Sequence, residues 1–132
     1  MGAVFGVFIV QTSVVSFGYK HGLPLDVDLV FDCRFLPNPH WVPELRPLPG
    51  TDQRVKDYVE SQDAYGTFIE RVTALLDVTV PGFIAEGKSY LTVSIGCTGG
   101  HHRSVVVAES LGAYFRERGL PVVVVHRDMD RG

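Results

Sequence analysis

Apolar residues fall in short blocks separated by glycines, prolines and charges. Uninterrupted blocks of Val, Ile and Phe predict strands, and apolar positions recurring every three or four residues predict helices. Val4 to Phe17 reads as one long strand, or as two pieces broken near Gln11-Thr12-Ser13. Gly18 to Asp28 reads as loop, punctuated by Gly22 and Pro24. Leu29-Val30-Phe31 predicts a short buried strand ending at Asp32-Cys33-Arg34. Thr51 or Asp52 caps a short helix running to about Gln62. A second helix runs from Ala64 toward Glu86, with Phe68, Val72, Leu75 and Leu76 at helical spacing. Pro81 is expected to kink or split it, and Gly87 to stop it. Tyr90 to Ile95 predicts a strand, and Arg103 to Arg118 a helix that buries Val106, Val107, Leu111, Tyr114 and Phe115. Gly119 ends that helix, and Val122 to Val125 predicts a final buried strand.

Between these elements, Phe35 to Gly50 contains Pro37, Pro39, Pro43, Pro47 and Pro49. Proline at this density excludes helix and central strand. The segment also carries Phe35, Leu36, His40, Trp41 and Arg46, which predicts an ordered loop with a task.

The C-terminal strand–helix–strand succession is a βαβ unit, which implies a parallel strand pair. The fold class is therefore α/β: a small mixed or parallel sheet flanked by helices. Ligands in such folds sit at the carboxyl ends of the strands. A length of 132 residues fits a single domain over 1–132, with 1–13 as a possible strand extension. The content of 45% hydrophobic and 20% charged residues is that of a globular chain. Two cysteines exclude a disulfide scaffold and fit reduced thiols. A net charge of −3 argues against a generic nucleic-acid binder. The apolar N-terminal run is too short to cross a membrane, and no Lys or Arg precedes Lys20 to make a signal peptide. No membrane contact is expected, and the cytoplasm is the expected location.

The strongest chemical signal is Gly96-Cys97-Thr98-Gly99-Gly100-His101-His102-Arg103-Ser104, which joins the Tyr90 strand to the Arg103 helix. Glycines permit close backbone approach to a ligand. Free amides and the dipole at a helix N-terminus attract an anion. Thr98 and Ser104 add hydroxyls, and Arg103 adds a fork suited to phosphate oxygens. The plainer reading, a tight turn with an arginine ion pair, leaves the three glycines unexplained.

Cys97, Gly100, Arg103 and Ser104 also fit the phosphate loop of cysteine-dependent phosphatases. In those enzymes a thiolate attacks phosphorus and an arginine holds the phosphoryl oxygens. Gly96 stands where they usually have His, and no general-acid Asp is identified by spacing, with Asp32 and Asp52 as candidates. Gly82 to Ser89 satisfies the nucleotide P-loop pattern, but it closes a helix and opens a strand, the reverse of the required context. Lys88 there reads as a solvated charge at the helix end. The five histidines lack metal-site spacing, so no metal and no cofactor are expected. His40 and Trp41 sit among rigid prolines, where either a ligand contact or a core-edge plug fits them equally.

Several segments resemble the C-terminal domain of the RapZ family of RNase adapters. They are Val15 to Pro24, Asp32 to Trp41, Leu45-Arg46-Pro47 and Gly96 to Ser104, in order, within a match from about Val14 to Arg127. The resemblance implies a fold like the C-terminal half of a phosphofructokinase subunit. It implies sensing of glucosamine-6-phosphate, binding of regulatory small RNA, presentation of that RNA to an endoribonuclease, and self-association. Family members also carry an N-terminal P-loop ATPase domain, which the matched segments do not include. Carried over, the family's sugar-phosphate pocket falls on His40, Thr98, Gly99, His102, Arg103 and Ser104. The RNA-binding members have a basic C-terminal tail, whereas Arg127 to Gly132 is charge-balanced here.

The leading expectation is a phosphosugar-binding regulatory domain rather than an enzyme, with Cys97 and Gly100 completing the loop and Asp32 meeting the sugar's amino group. A phosphatase using Cys97 and Arg103 is the alternative, and a small-RNA-binding module the second.

Overall fold

The computed structural model describes residues 10–131. The expected strand residues before Val10 lie outside that range. The elements are β1 (Gln11–Gly18), β2 (Leu29–Asp32), α1 (Gln53–Glu60), α2 (Asp63–Ala85), β3 (Tyr90–Cys97), α3 (Arg103–Glu117) and β4 (Val122–His126). Single 3₁₀ turns occupy Tyr19–His21 and Pro39–Trp41. The four strands form one parallel sheet in the order β2-β3-β1-β4. The βαβ unit is present, but β3 and β4 are not neighbours, because β1 lies between them.

Register explains which side of the sheet is covered. Val14 of β1 stands level with Val93 of β3 and Val124 of β4, and Leu29 of β2 is level with Val93. Side chains two residues on, including Ile95, share that face. Helix α3 lies against β1, β3 and β4, and α1 and α2 pack on α3. The core between them includes Val14, Val93, Ile95, Val107, Leu111 and Phe115, all fully buried. On the other face Val30, Val123 and Val125 are exposed. The sequence reading of β2 and β4 as fully buried is therefore corrected. Both are edge strands with alternating burial, and an all-Val run does not reveal which alternate side chains meet solvent.

Two further expectations meet the structure. Gln11-Thr12-Ser13 open β1, with the buried Thr12 hydroxyl donating to the Val10 carbonyl at 3.4 Å, while any strand piece before Val10 lies outside the described residues. Pro81 does not split α2. Pro81 and Asp77 are both on the exposed side, so water reaches the carbonyl that proline leaves without an amide. The buried stripe of α2 is Tyr65, Val72, Leu76 and Val80, with Leu75 beside it and largely exposed.

The caps follow the expected chemistry. The Asp52 carboxylate accepts from the Arg54 amide at 2.9 Å and starts α1. At the end of α2, Gly87 has φ 86°, and the Lys88 amide donates to the Phe83 carbonyl at 3.1 Å. The P-loop-like segment is thus a helix stop. Lys88 is not simply solvated but pairs with Asp28 at 2.7 Å. Among the described residues no helix is long and apolar enough to cross a membrane.

Leu76 and Val78 separate packing from propensity on one helix. Leu76 is fully buried and Val78 is 74% exposed. Leu76→Ala is expected to cost about 2–5 kcal/mol in urea unfolding, and Val78→Ala less than about 0.5 kcal/mol. Equal losses would contradict the packing of α2 on α3.

Candidate functional site

Gly18, Asp32, Cys97 and His126 end the four parallel strands on one edge of the sheet. The loop from β3 to α3 rises there and rests on the end of β1. A Cβ on Gly18 would lie 2.4 Å from the Gly99 carbonyl carbon, and one on Gly100 2.7 Å from the Gly18 amide nitrogen. Gly100 also has φ 81°, so only glycine fits both the turn and the contact. The Lys20 amide donates to the Thr98 carbonyl at 3.2 Å, and the Gly50 amide to the His101 carbonyl at 2.8 Å. The loop is thereby tied to both neighbouring segments. Gly96 is equally constrained, since a Cβ there would lie 2.5 Å from the Phe17 and Tyr19 rings. A histidine at that position has no room.

A cleft of about 810 Å³ opens over this loop. The proline-rich segment walls one side, with Asn38, His40, Trp41 and Arg46 to Pro49. Met129, Asp130 and Arg131, beyond β4, form another part of the wall. Of the residues expected from the sequence, His40, Cys97, Thr98, Gly99, His102 and Arg103 line the cleft. Gly100 and Ser104 stand behind it. Ser104 is fully buried, and its hydroxyl accepts from the Cys97 thiol at 3.1 Å. Trp41 is 74% exposed, so it is a wall of the cleft and not a core plug. Its ring meets His40 edge-on, and Arg46 Nε donates to the His40 carbonyl at 2.6 Å.

Asp32 lies outside this lining. Both its oxygens accept from Arg34, at 2.7 to 3.1 Å, and Arg34 in turn covers the Tyr19 ring at 3.8 Å. The Arg34 hydrogen bonds hold the Asp32 carboxyl below its usual range. Asp52 is likewise occupied, as the α1 cap and in an ion pair with Arg54.

Arg103 is the least ordinary residue of the site. It is 4% exposed, yet among the described residues no carboxylate pairs with it. Its Nη1 donates to the carbonyls of Arg34 at 2.6 Å and Leu36 at 3.0 Å, and its Nη2 to Thr98 Oγ1 at 3.4 Å. Its Nε is buried without a partner. An uncompensated buried charge is costly, so the position favours an anion. His102, 6% exposed, also has a buried Nε2 without a partner. Burial lowers its basicity and favours neutral imidazole, outweighing the opposing pull of the Leu48 and Arg46 backbone.

Sequence reasoning missed Lys20, Arg46, Asp130 and Arg131 as lining residues, and it missed Asp128 altogether. Asp128 is fully buried. It accepts from the Gly18 amide at 2.8 Å and pairs with Arg127 at 2.7 Å and Arg131 at 3.0 Å. Burial raises its pKa, but the bonds from Arg127, Gly18 and Arg131 prevail and bring it to about 2. The Arg127-Asp128…Arg131 spacing was visible in the sequence but looked like a neutral surface tail.

Comparison with known proteins adds a family. The description "RapZ C-terminal domain" matches residues 10–130. A nucleotide-binding protein of Thermobifida fusca is 55% identical over 121 residues, covering 92% of this chain and 41% of that protein. A nucleotide-binding protein of Parafrankia sp. is 58% identical over 121 residues, covering 92% and 42%. One of Paramagnetospirillum magneticum is 56% identical over 117 residues, covering 89% and 38%. The chain thus spans about two-fifths of the length of the curated relatives it matches.

Two outcomes test this geometry. Gly18→Ala should displace the Gly99–Gly100 backbone and lower stability by about 1–3 kcal/mol in thermal unfolding; an unchanged midpoint would contradict the contact. Asp128 has a folded pKa of about 2, below its ordinary 3.8, so it stabilises the fold above that ordinary value. That contribution, on the order of 2 kcal/mol, is lost as pH falls from about 4 through 2. In urea unfolding, the stability gap between wild type and Asp128→Asn should shrink over that window, and a constant gap would contradict the assignment.

Proposed function

The chain belongs to the RapZ C-terminal domain family, and we propose that its cleft is a regulatory sensor for a phosphorylated amino sugar, glucosamine-6-phosphate or a close relative. Arg103 carries this reading: a buried cation that has no carboxylate partner among the described residues, set beside a glycine-rich loop at a helix N-terminus. The phosphate would rest on the amides of Thr98 to His102, and its charge would supply the counterion that Arg103 lacks. Lys20, Arg46 and Arg131 add positive charge around the same cleft. Neutral His102 would present its free Nε2 to the ligand. His40 and the exposed face of Trp41 suit the sugar, offering a polar edge and an apolar surface. Asp32, already held by Arg34 outside the cleft, is left out of the ligand set.

The relatives' printed names point to nucleotides, which share the phosphate. The P-loop-like Gly82–Ser89 segment gives no support to nucleotide binding by this chain, because it terminates α2. RNA and an endoribonuclease are proposed as partners on family grounds alone. RNA contact would show as affinity that falls steeply with salt.

Isothermal titration calorimetry tests the proposal with glucosamine-6-phosphate, glucosamine, inorganic phosphate and ATP. Saturable heat is expected with glucosamine-6-phosphate and none with glucosamine. His40→Ala, an exposed position, should weaken binding about tenfold, the loss of one hydrogen bond of about 1.4 kcal/mol. No heat with glucosamine-6-phosphate, or equal affinity for glucosamine, would overturn the reading.

A further inference from the structure

An amino sugar phosphate brings a cation as well as an anion, and the cleft meets the two unequally. Its lining is rich in positive charge, from Lys20, Arg46, Arg103 and Arg131. Such a lining draws a phosphate in and repels an ammonium group at short range. Among the described residues Asp130 is the only carboxylate of the lining. Neighbouring acids are already engaged. Asp32 is gripped by Arg34 outside the cleft. Asp128 is fully buried and saturated by Gly18, Arg127 and Arg131.

Asp130 itself is exposed, and among the described residues no hydrogen bond or ion pair holds its carboxylate. Its backbone is nevertheless braced. The Arg131 amide donates to the Asp128 carbonyl at 3.1 Å and closes a turn around Met129 and Asp130. The Met129 carbonyl bonds His101 Nδ1 of the β3–α3 loop, and the Asp128 carboxylate ties the turn to Gly18. The loop beneath carries the groups that suit a phosphate. Arg103 Nε and His102 Nε2 have no partner, and both side chains are more than nine-tenths buried. In a 2-amino-2-deoxyhexose 6-phosphate, C2 lies across the ring from C5, which bears the phosphorylated carbon. A phosphate on the loop therefore sets the amino group a ring's width away, at a wall of the cleft. The proline-rich wall offers His40, Trp41 and Arg46 but no carboxylate, and the wall beyond β4 offers Asp130.

We propose that Asp130 reads the amino group of the sugar and sets the preference for an amino sugar phosphate over its hydroxyl and acetamido counterparts. The proposal rests on the reading that a sugar phosphate seats on the β3–α3 loop. The ammonium donates to the Asp130 carboxylate, which has no ion pair among the described residues to give up first. A 2-hydroxyl in the same place donates as a neutral group and gains roughly half as much. An acetamido group carries no charge and adds bulk against the turn. Water reaches Asp130 and screens the pair, so the gain is moderate. The loop and Arg103 supply affinity, and Asp130 supplies selectivity.

Calorimetry of the full chain with glucosamine-6-phosphate, glucose-6-phosphate and N-acetylglucosamine-6-phosphate is the test. The wild type should bind glucosamine-6-phosphate about fivefold more tightly than the other two. Asp130→Asn should lose that preference by weakening glucosamine-6-phosphate alone, with glucose-6-phosphate unchanged. Asp130→Glu, which keeps the charge, should keep a preference. Asp130→Lys, which places a cation there, should bind glucose-6-phosphate more tightly than glucosamine-6-phosphate. A merely structural role would weaken all three ligands alike in Asp130→Asn, and that result would overturn the assignment. A preference that survives Asp130→Asn would overturn it too. Equal wild-type affinity for the three phosphates would remove the amino-group reader and leave a phosphosugar cleft. Silence from all three would remove the sensor and its reader together.

Discussion

Backbone lies directly on backbone where β1 ends. Gly18 meets Gly99 and Gly100 so closely that no Cβ fits on Gly18 or Gly100. That contact fixes the height of the β3–α3 loop above the sheet, and therefore the direction of its amides. It is closed from the other side by Asp128, which takes the Gly18 amide and collects Arg127 and Arg131. A buried carboxylate is tolerable only when charge and hydrogen bonds surround it. Here the surrounding groups come from β1 and from the segment after β4, so the same bonds that satisfy Asp128 bring the C-terminal turn to the cleft. One electrostatic solution thus places three walls of the site.

Arg103 extends this economy to the fourth wall. Its bonds to the carbonyls of Arg34 and Leu36 hold the start of the proline-rich segment against the loop. An irregular segment rich in proline lacks several of the amide donors that regular structure supplies, so some of its carbonyls take partners from outside. A guanidinium with five donors can serve those carbonyls and still keep an edge for a ligand. The residue is therefore both a brace and a binding group. Its replacement by lysine would not preserve both tasks, since an ammonium has no fixed fork.

How much of this was readable in the sequence follows from the range of each interaction. The Cys97–Ser104 loop, the Gly87 stop, the Asp52 cap and α3 are local features, written within a few residues, and all were readable. The order of the strands was not, because register and adjacency come from long-range packing that a single sequence does not print. The insertion of β1 between β3 and β4 is of this kind. Asp128 shows the limit most clearly. Its partner at Gly18 is 110 residues away, and its own neighbourhood looks like a charged tail. Trp41 was open between core and cleft because proline rigidity fixes a side chain without saying which way it faces. Asp32 had the right chemistry for an amino group, but a neighbouring Arg34 two residues on already answered it.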